Sequence, residues 1–174
     1  MPIPLARLNR LDRPAFAAVL GGVFERSPWI PERAWSRRPF STIDDLHAAL
    51  CAVVEAASVE EKLALVRAHP ELAAKRERAA DLAAESRREQ AAAGLDELET
   101  AQGAELARLN RAYREKFGFP FVICARENPS GSILRALAAR LDNSPEAELA
   151  AALEQIGRIA YFRLLDAVDE AGDL

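Results

Sequence analysis

Alanine and leucine at helical spacing occupy most of the chain, and this pattern constrains the fold more than any other feature. Apolar residues recur three and four positions apart between Ile43 and Val54, and again from Leu98 to Phe117, as they do on the buried face of a helix. Alanine favours helices because it loses no side-chain entropy when a helix forms. The 174 residues suit one hydrophobic core. We therefore expect a single all-α domain over residues 1–174.

Capping signals divide this pattern into helices. Asp12 predicts the first helix start, Ser41 or Thr42 the second, and Ser58 followed by Glu61 has the form of a capping box. Glu25–Trp35 holds two prolines and two tryptophans, and we expect an ordered, tightly packed loop there. The remaining predicted helices are a short one from Pro70 to Lys75 and longer ones over Asp81–Ala93, Leu95–Phe117, Ile133–Leu141 and Glu146–Val168.

One aromatic and β-branched run stands apart from the alanine-rich pattern. It is K-F-G-F-P-F-V-I-C-A, Lys116–Ala125, and such residues favour extended structure. We expect one extended, buried segment near residues 117–125. Extended backbone leaves N–H and C=O groups to be satisfied, so the segment could offer main-chain hydrogen bonds to a small polar ligand, or it could simply be a buried crossing segment.

His69 and a polar cluster downstream form the candidate catalytic group. A residue before proline is pushed out of the α region, so the helix before His69-Pro70 should end there. Ser86, Glu89 and Gln90 would share one helix face. A carboxylate can orient a histidine and stabilise its charged form, which is typical of an acid/base site. Two simpler interpretations stay open: a structural histidine before proline, and a capping box formed by the serine and the glutamate.

Charge and motif content exclude several classes of protein. The net charge is −4, from 23 basic and 27 acidic residues, and no long basic block is present, which argues against nucleic acid or a membrane surface as partner. No apolar run is long enough to span a bilayer. Cys51 and Cys124 show no metal or disulfide spacing, and no metal-binding, phosphate-loop or dinucleotide motif occurs. We expect a cytoplasmic protein without a metal ion.

Six short blocks give a more specific identification. They are E-R-S-P-W-I, R-P-F, H-P-E-L-A, S-R-R-E-Q-x-x-A-G-L, F-G-F-P-F-V-I and I-A-x-x-R-L, in this order from Glu25 to Leu164. With them the chain resembles the 2-oxo-4-hydroxy-4-carboxy-5-ureidoimidazoline (OHCU) decarboxylases, which form allantoin in urate degradation. The resemblance covers nearly the full length. One departure is Ala83, where the family pattern has threonine.

The resemblance implies an all-α fold of its own kind, a homodimer, and decarboxylation of OHCU to (S)-allantoin without a cofactor. It makes His69 the catalytic residue and Glu89 its partner. The residues expected to bind or line the substrate are Pro70, Ser86, Gln90, Phe119, Val122, Ile123 and Arg163. From position alone, Arg163 lies near an apolar stripe, where an arginine can reach outward to solvent or hold a carboxylate.

Two other functions stay open at this point. One is a related helical enzyme that acts on another ureido or carboxylated ring. The other is a helical dimerisation module without catalytic activity. The presence of His69, Glu89 and Arg163 favours an enzyme over such a module.

Overall fold

The computed structural model of the chain describes residues 1–72, 86–89 and 100–171. These ranges are mostly helical, which confirms the all-α fold class. Residues 86–89 are helical, and a 3₁₀ turn at Trp35–Arg37 follows the third helix. The other elements, in chain order, are β1 (Ile3–Pro4), α1 (Leu5–Leu8), α2 (Arg13–Val19), α3 (Trp29–Ala34), α4 (Ile43–Glu55), α5 (Val59–Ala68), α6 (Thr100–Phe117), α7 (Ser130–Arg140), α8 (Pro145–Ala167) and β2 (Val168–Asp169).

The chain divides into two compact units, and in the sequence the second unit lies between the two segments that form the first. The first contains Met1–Leu65 and Gly157–Leu174, and the second contains Val66–Ile156. The chain enters the second unit near the end of α5 and leaves it within α8. One domain over residues 1–174 remains a prediction.

A two-stranded parallel sheet in the first unit joins the beginning of the chain to its end. Ile3 pairs with Val168 and Pro4 with Asp169. Neither strand was predicted, because two residues are too few to show the alternation that identifies a strand. The core of this unit includes Phe16 and Phe40, whose rings stack with centroids 6.2 Å apart.

The predicted helix starts in the first unit are confirmed. The Asp12 side chain accepts a hydrogen bond from the N–H group three residues later at 2.9 Å, and Thr42 does the same at 3.0 Å. Ser58 and Glu61 form the reciprocal pair of a capping box, each side chain accepting from the other's backbone N–H at 3.1 Å. These contacts satisfy N–H groups that have no partner within the helix.

The prediction of a loop over Glu25–Trp35 is wrong, because α3 begins at Trp29 within it. Pro28 is the N-cap of α3 and Pro31 is the third residue of the helix. The first four N–H groups of a helix have no intrahelical acceptor, so a proline in the first turn removes no bond. Two prolines that suggested a loop therefore stand at a helix start, where they are tolerated.

An aromatic cluster marks the core of the second unit. Tyr113 of α6 is fully buried, and its ring centroid lies 4.5 Å from that of Phe117, 6.0 Å from that of Phe119 and 5.3 Å from that of Phe121. Gly118 follows α6 with φ of 74°, the left-handed conformation that ends many helices. Residues 119–125 are buried and have no regular secondary structure, which confirms the buried segment near 117–125.

Several predictions fall partly on residues outside the described ranges. Pro70, Glu71 and Leu72 are not helical, so the short helix predicted from Pro70 does not begin there. Of the helix predicted over 81–93, residues 86–89 are described and helical. Ala83, Gln90 and residues 95–99 lie outside the described ranges. Among the helices that are described, none combines the length and the apolar character needed to cross a membrane.

Candidate active site

His69 stands directly after α5, as the proline that follows it predicts. Its backbone N–H donates to the Val66 carbonyl at 3.2 Å, a three-residue spacing that closes the last turn of the helix. The residue is 8% exposed, so nearly all of its surface is covered by protein. Pro70 is half-buried beside it. The imidazole therefore belongs to a buried helix terminus and not to a solvated face.

Two hydrogen bonds hold the backbone on either side of His69. Before it, Arg67 Nε donates to the Gly118 carbonyl at 3.3 Å. After it, Asn110 Nδ2 donates to the Leu72 carbonyl at 3.0 Å. Asn110 lies on α6, and Gly118 follows its last residue. The loop carrying His69 is therefore hydrogen-bonded to α6 and to the start of the buried segment.

Ser86 and Glu89 lie on one buried helix face. Residues 86–89 are helical, and Ser86 is 3% and Glu89 8% exposed, while Arg87 and Arg88 between them are exposed. Side chains three apart on a helix point the same way, so the predicted shared face is confirmed for these two residues. A carboxylate is rarely buried without partners, and burial here favours a specific role over a solvated surface position.

The carboxylate of Glu89 lies within electrostatic range of the buried segment. Burial raises the pKa of the Cys124 thiol, and the negative charges of Glu127 and Glu89 raise it further. Nearby like charges disfavour the thiolate in this way. The structure therefore places Glu89 and residues 119–125, two groups that the sequence separates, in one neighbourhood of the second unit.

The polar groups of the buried segment are partly engaged by neighbouring side chains. The Val122 carbonyl accepts from Arg140 Nη1 at 2.8 Å, and the Cys124 N–H donates to Gln155 Oε1 at 2.9 Å. Within the described ranges, no acceptor engages the N–H groups of Val122 and Ile123. Buried N–H groups are normally paired. This backbone is thus fixed in place while presenting donors that a ligand could use.

Arg140, which donates to the Val122 carbonyl of that segment, also forms a buried ion pair with Glu148. Arg140 Nη2 lies 2.9 Å from Glu148 Oε2, and the two side chains are 14% and 0% exposed. Tyr113 Oη and the Asn143 amide also donate to the Glu148 carboxylate. Burial alone would raise the pKa of Glu148, but the hydrogen bonds from Arg140, Tyr113 and Asn143 outweigh it and hold that pKa below its usual value. The Arg140 guanidinium also lies over the Phe121 ring, 4.4 Å from its centroid.

Arg163, the predicted substrate-binding arginine, belongs to the first unit. Its side chain is 3% exposed and forms an ion pair with Glu25, with Nη2 to Oε1 at 3.2 Å. Nη1 donates to the Gly22 carbonyl at 3.1 Å. The arginine therefore turns inward from α8 instead of reaching outward to solvent. Its role toward a substrate stays a prediction.

Several residues that form these contacts were not predicted to have a role. Glu25 lies in the E-R-S-P-W-I block, yet nothing in the sequence links it to Arg163, 138 residues away. Asn110, Arg140 and Glu148 are polar residues on helices, where a solvated surface position is the usual expectation. Helical spacing was the available signal for two of them, because residues three and four apart share a helix face. Asn110 lies four residues after Leu106 and three before Tyr113, and Glu148 lies four residues before Ala152, all of them buried.

His47, the other histidine of the chain, belongs to the first unit, whereas His69 belongs to the second. His47 is half-buried on α4. Its Nε2 is 2.8 Å from the Gly157 carbonyl oxygen and 3.3 Å from Cys51 Sγ. These contacts join the imidazole to a neighbouring thiol on α4 and to a backbone carbonyl of α8.

Comparisons with known proteins agree with the residue pattern. The family model described as OHCU decarboxylase matches residues 9–165. A 2-oxo-4-hydroxy-4-carboxy-5-ureidoimidazoline decarboxylase of Haloferax volcanii is 42% identical over 94% of this chain and 95% of its own. The crystal structure of (S)-allantoin synthase has a TM-score of 0.75 at 31% identity. That match covers 96% of this chain, which spans about half (55%) of the other.

A second solved structure supports the same assignment. The crystal structure of OHCU decarboxylase in the presence of (S)-allantoin has a TM-score of 0.66 at 25% identity, over 80% of this chain and 90% of the other. Fold, sequence blocks and full-length similarity point to the same group of enzymes. The chain belongs to the OHCU decarboxylase family.

Proposed function

We propose that this protein is the carboxy-lyase that converts OHCU to (S)-allantoin in urate degradation. The observation that carries the proposal is the buried His69 at the end of α5, in the same unit as the buried Ser86 and Glu89. Family membership supports the substrate, and the relatives named above carry that activity in their descriptions. The enantiomer rests on the same similarity.

The substrate can lose carbon dioxide without a metal or a prosthetic group. One ring carbon carries both the carboxylate and a hydroxyl, and it is bonded to the carbon of a ring C=N bond. When the bond to the carboxylate breaks, its electron pair moves towards that C=N bond and carbon dioxide leaves. As the C=N bond becomes a C–N single bond, its nitrogen takes up a proton. The hydroxyl proton is then lost as the hydroxyl becomes the ring carbonyl, and a proton is added to the neighbouring carbon. Addition to one face gives one enantiomer.

His69 and Glu89 are proposed to perform the proton transfers. Histidine is the side chain whose ordinary pKa is nearest neutrality, and burial keeps water from competing for the proton. The imidazole takes the hydroxyl proton or directs the departing carboxylate, and a protonated group delivers the proton to the carbon. Glu89 orients the imidazole and stabilises its charged form. Both residues are at least nine-tenths buried, as a site that excludes water requires.

Substrate binding is proposed to use backbone and side-chain donors. The N–H groups of Val122 and Ile123 can donate to the polar edges of the ring, and the tie between Arg140 and the Val122 carbonyl keeps this backbone in place. The Phe119 backbone and Pro70 line the pocket. Ser86 and Gln90 add polar contacts. Arg163 is proposed to hold the substrate carboxylate by its planar fork, with Glu25 fixing the guanidinium.

The protein is further proposed to be a cytoplasmic homodimer. The dimer rests on the family resemblance. Cys51 and Cys124 are both free thiols, as expected in a reducing compartment. Light scattering coupled to size-exclusion chromatography measures the mass in solution: about twice the 19.0 kDa of one chain supports the dimer, and the mass of one chain contradicts it.

The activity is tested by forming the substrate in place. Urate is converted with excess urate oxidase and hydroxyisourate hydrolase, this protein is added, and circular dichroism follows the appearance of optically active allantoin. The spontaneous reaction gives a racemate and therefore no signal. A fast signal of one sign supports the proposal. A folded protein that leaves the rate at background contradicts it and favours another ureido or carboxylated ring as substrate.

A further inference from the structure

Asn110 occupies an unusual position for an asparagine on a long helix. It lies on α6 and is 5% exposed, whereas asparagine is usually a surface residue. Its Nδ2 donates to the Leu72 carbonyl at 3.0 Å, across 38 positions of sequence. Leu72 is buried and follows His69 by three residues. The side chain thus reaches from α6 to the loop that carries the proposed catalytic histidine.

Packing alone does not account for an asparagine at this position. In the described part of the chain its Oδ1 receives no hydrogen bond, and burying a polar atom without a partner costs free energy. A leucine of similar volume would fill the position without that cost. What the asparagine supplies, and leucine cannot, is the hydrogen bond to the Leu72 carbonyl.

That bond holds a backbone which the secondary structure leaves without support. α5 ends at Ala68, and Pro70–Leu72 are not helical, so the carbonyls of this loop have no helical donor. Arg67 holds the loop on the near side of His69 through the Gly118 carbonyl, but that bond is exposed and 3.3 Å long. The Asn110 bond is the buried one of the two, and it fixes the far side.

We propose that Asn110 is a positioning residue of the active site, which holds the loop so that His69 keeps its catalytic orientation. The inference rests on the proposed function and assigns Asn110 no contact with the substrate. A reacting group displaced by about 1 Å can cost roughly 100-fold in rate. Loss of the bond is therefore expected to lower kcat by about 10-fold to 100-fold, with a much smaller change in KM.

Two substitutions test this residue. Asn110→Leu keeps the volume and removes the donor. Asn110→Asp keeps the shape, and its carboxyl group can donate to the Leu72 carbonyl only when protonated. An ordinary carboxyl pKa is about 4 and burial raises it, so the bond returns as the pH falls. The ratio of the Asn110→Asp kcat to the wild-type kcat, measured from pH 8 to pH 5, is expected to rise towards low pH.

The matched control is Asn9→Leu in the first unit. Asn9 Nδ2 donates to the Phe40 carbonyl at 2.9 Å, and the Phe40 N–H donates to Asn9 Oδ1 at 2.9 Å. Asn9→Leu thus removes two hydrogen bonds between an asparagine side chain and the backbone, whereas Asn110→Leu removes one. All variants are assayed by circular dichroism of allantoin formation well below their melting temperatures, so loss of stability by itself does not change kcat.

The outcomes separate this inference from the proposed function. Wild-type protein without activity contradicts the proposed function itself. With active wild type, a lower kcat for Asn110→Leu, near-wild-type kcat for Asn9→Leu and a rising ratio for Asn110→Asp support the positioning role. Unchanged kcat in Asn110→Leu overturns it. If that variant does not fold, the Asn110→Asp ratio decides, and a ratio that stays flat with pH overturns the proposal.

Discussion

The buried carboxylate of Glu148 gives the sharpest prediction about stability. The side chain has no exposed surface, and it accepts from Arg140, Tyr113 and Asn143. Replacing it with alanine leaves the Arg140 guanidinium, whose side chain is 14% exposed, without its counter-charge. Breaking a buried ion pair from one side costs about 3–5 kcal/mol. For a chain of this size that corresponds to a fall in melting temperature of roughly 6–20 °C.

A conservative substitution separates charge from shape. Glu148→Gln keeps an acceptor for Arg140 but replaces charge-assisted hydrogen bonds with neutral ones, which are about half as strong. We expect it to cost about 1–2 kcal/mol. Because Arg140 also donates to the Val122 carbonyl, Glu148→Ala should in addition raise KM, since the backbone proposed to bind substrate loses its support.

The assay is urea unfolding followed by circular dichroism, with Glu105→Ala as matched control. Glu105 pairs with Arg108 on α6 at 2.7 Å, but both side chains are about half exposed or more, and such pairs contribute little. The control is therefore expected to unfold like the wild type. If Glu148→Ala also unfolds at the wild-type urea concentration, the reasoning about the buried pair is refuted.

Three further predictions concern Glu148, Arg163 and Gly118. The lowered pKa of Glu148 means that its stabilisation is fully present above the ordinary carboxyl pKa of about 4.3 and is lost as the pH falls below it. The difference in unfolding free energy between wild type and Glu148→Gln should therefore shrink as the pH is lowered from about 6 to about 3, a range that brackets that pKa. A difference that stays constant would contradict the lowered pKa of Glu148. Arg163→Ala should mainly raise KM through loss of the bidentate contact, and steady-state kinetics with unchanged KM and kcat would argue against its binding role. Gly118→Ala should cost roughly 1–2 kcal/mol because φ is 74° and a Cβ atom disfavours that region; thermal unfolding at the wild-type temperature would show that the backbone adapts.

Local signals made much of the fold predictable. The starts of α2, α4 and α5 follow from Asp12, Thr42 and Ser58, because each side chain satisfies an N–H group that the helix itself leaves open. The burial of residues 119–125 follows from the aromatic and β-branched side chains in that segment. Such features depend on residues that are neighbours in sequence, and they are therefore predictable.

Features that depend on distant pairs were not predictable. The strand pairing of Ile3 with Val168 joins opposite ends of the chain. The pairs Arg140–Glu148 and Glu25–Arg163 connect charged residues that look like surface positions until the helices pack. α3 was missed because its prolines stand in a first turn, where a proline is compatible with either a loop or a helix start.

The candidate site likewise has features that could be predicted from the sequence and features that depend on packing. The position of His69 at a helix end follows from Pro70, and the shared face of Ser86 and Glu89 follows from helical spacing. The proximity of Glu89 to the buried segment, and the ties that hold the His69 loop, come from packing. Roles in the chemistry came from the resemblance and not from spacing.

The two histidines of the chain offer the most direct test of the central claim. His69→Ala and His47→Ala remove the same side chain, one from the proposed site and one from a half-buried position on α4. Each variant, checked for folding, is added to freshly formed OHCU while circular dichroism records allantoin. We predict that His69→Ala loses about 100-fold to 10,000-fold in rate, whereas His47→Ala stays close to wild type. A folded His69→Ala variant that forms optically active allantoin at the wild-type rate would contradict the claim.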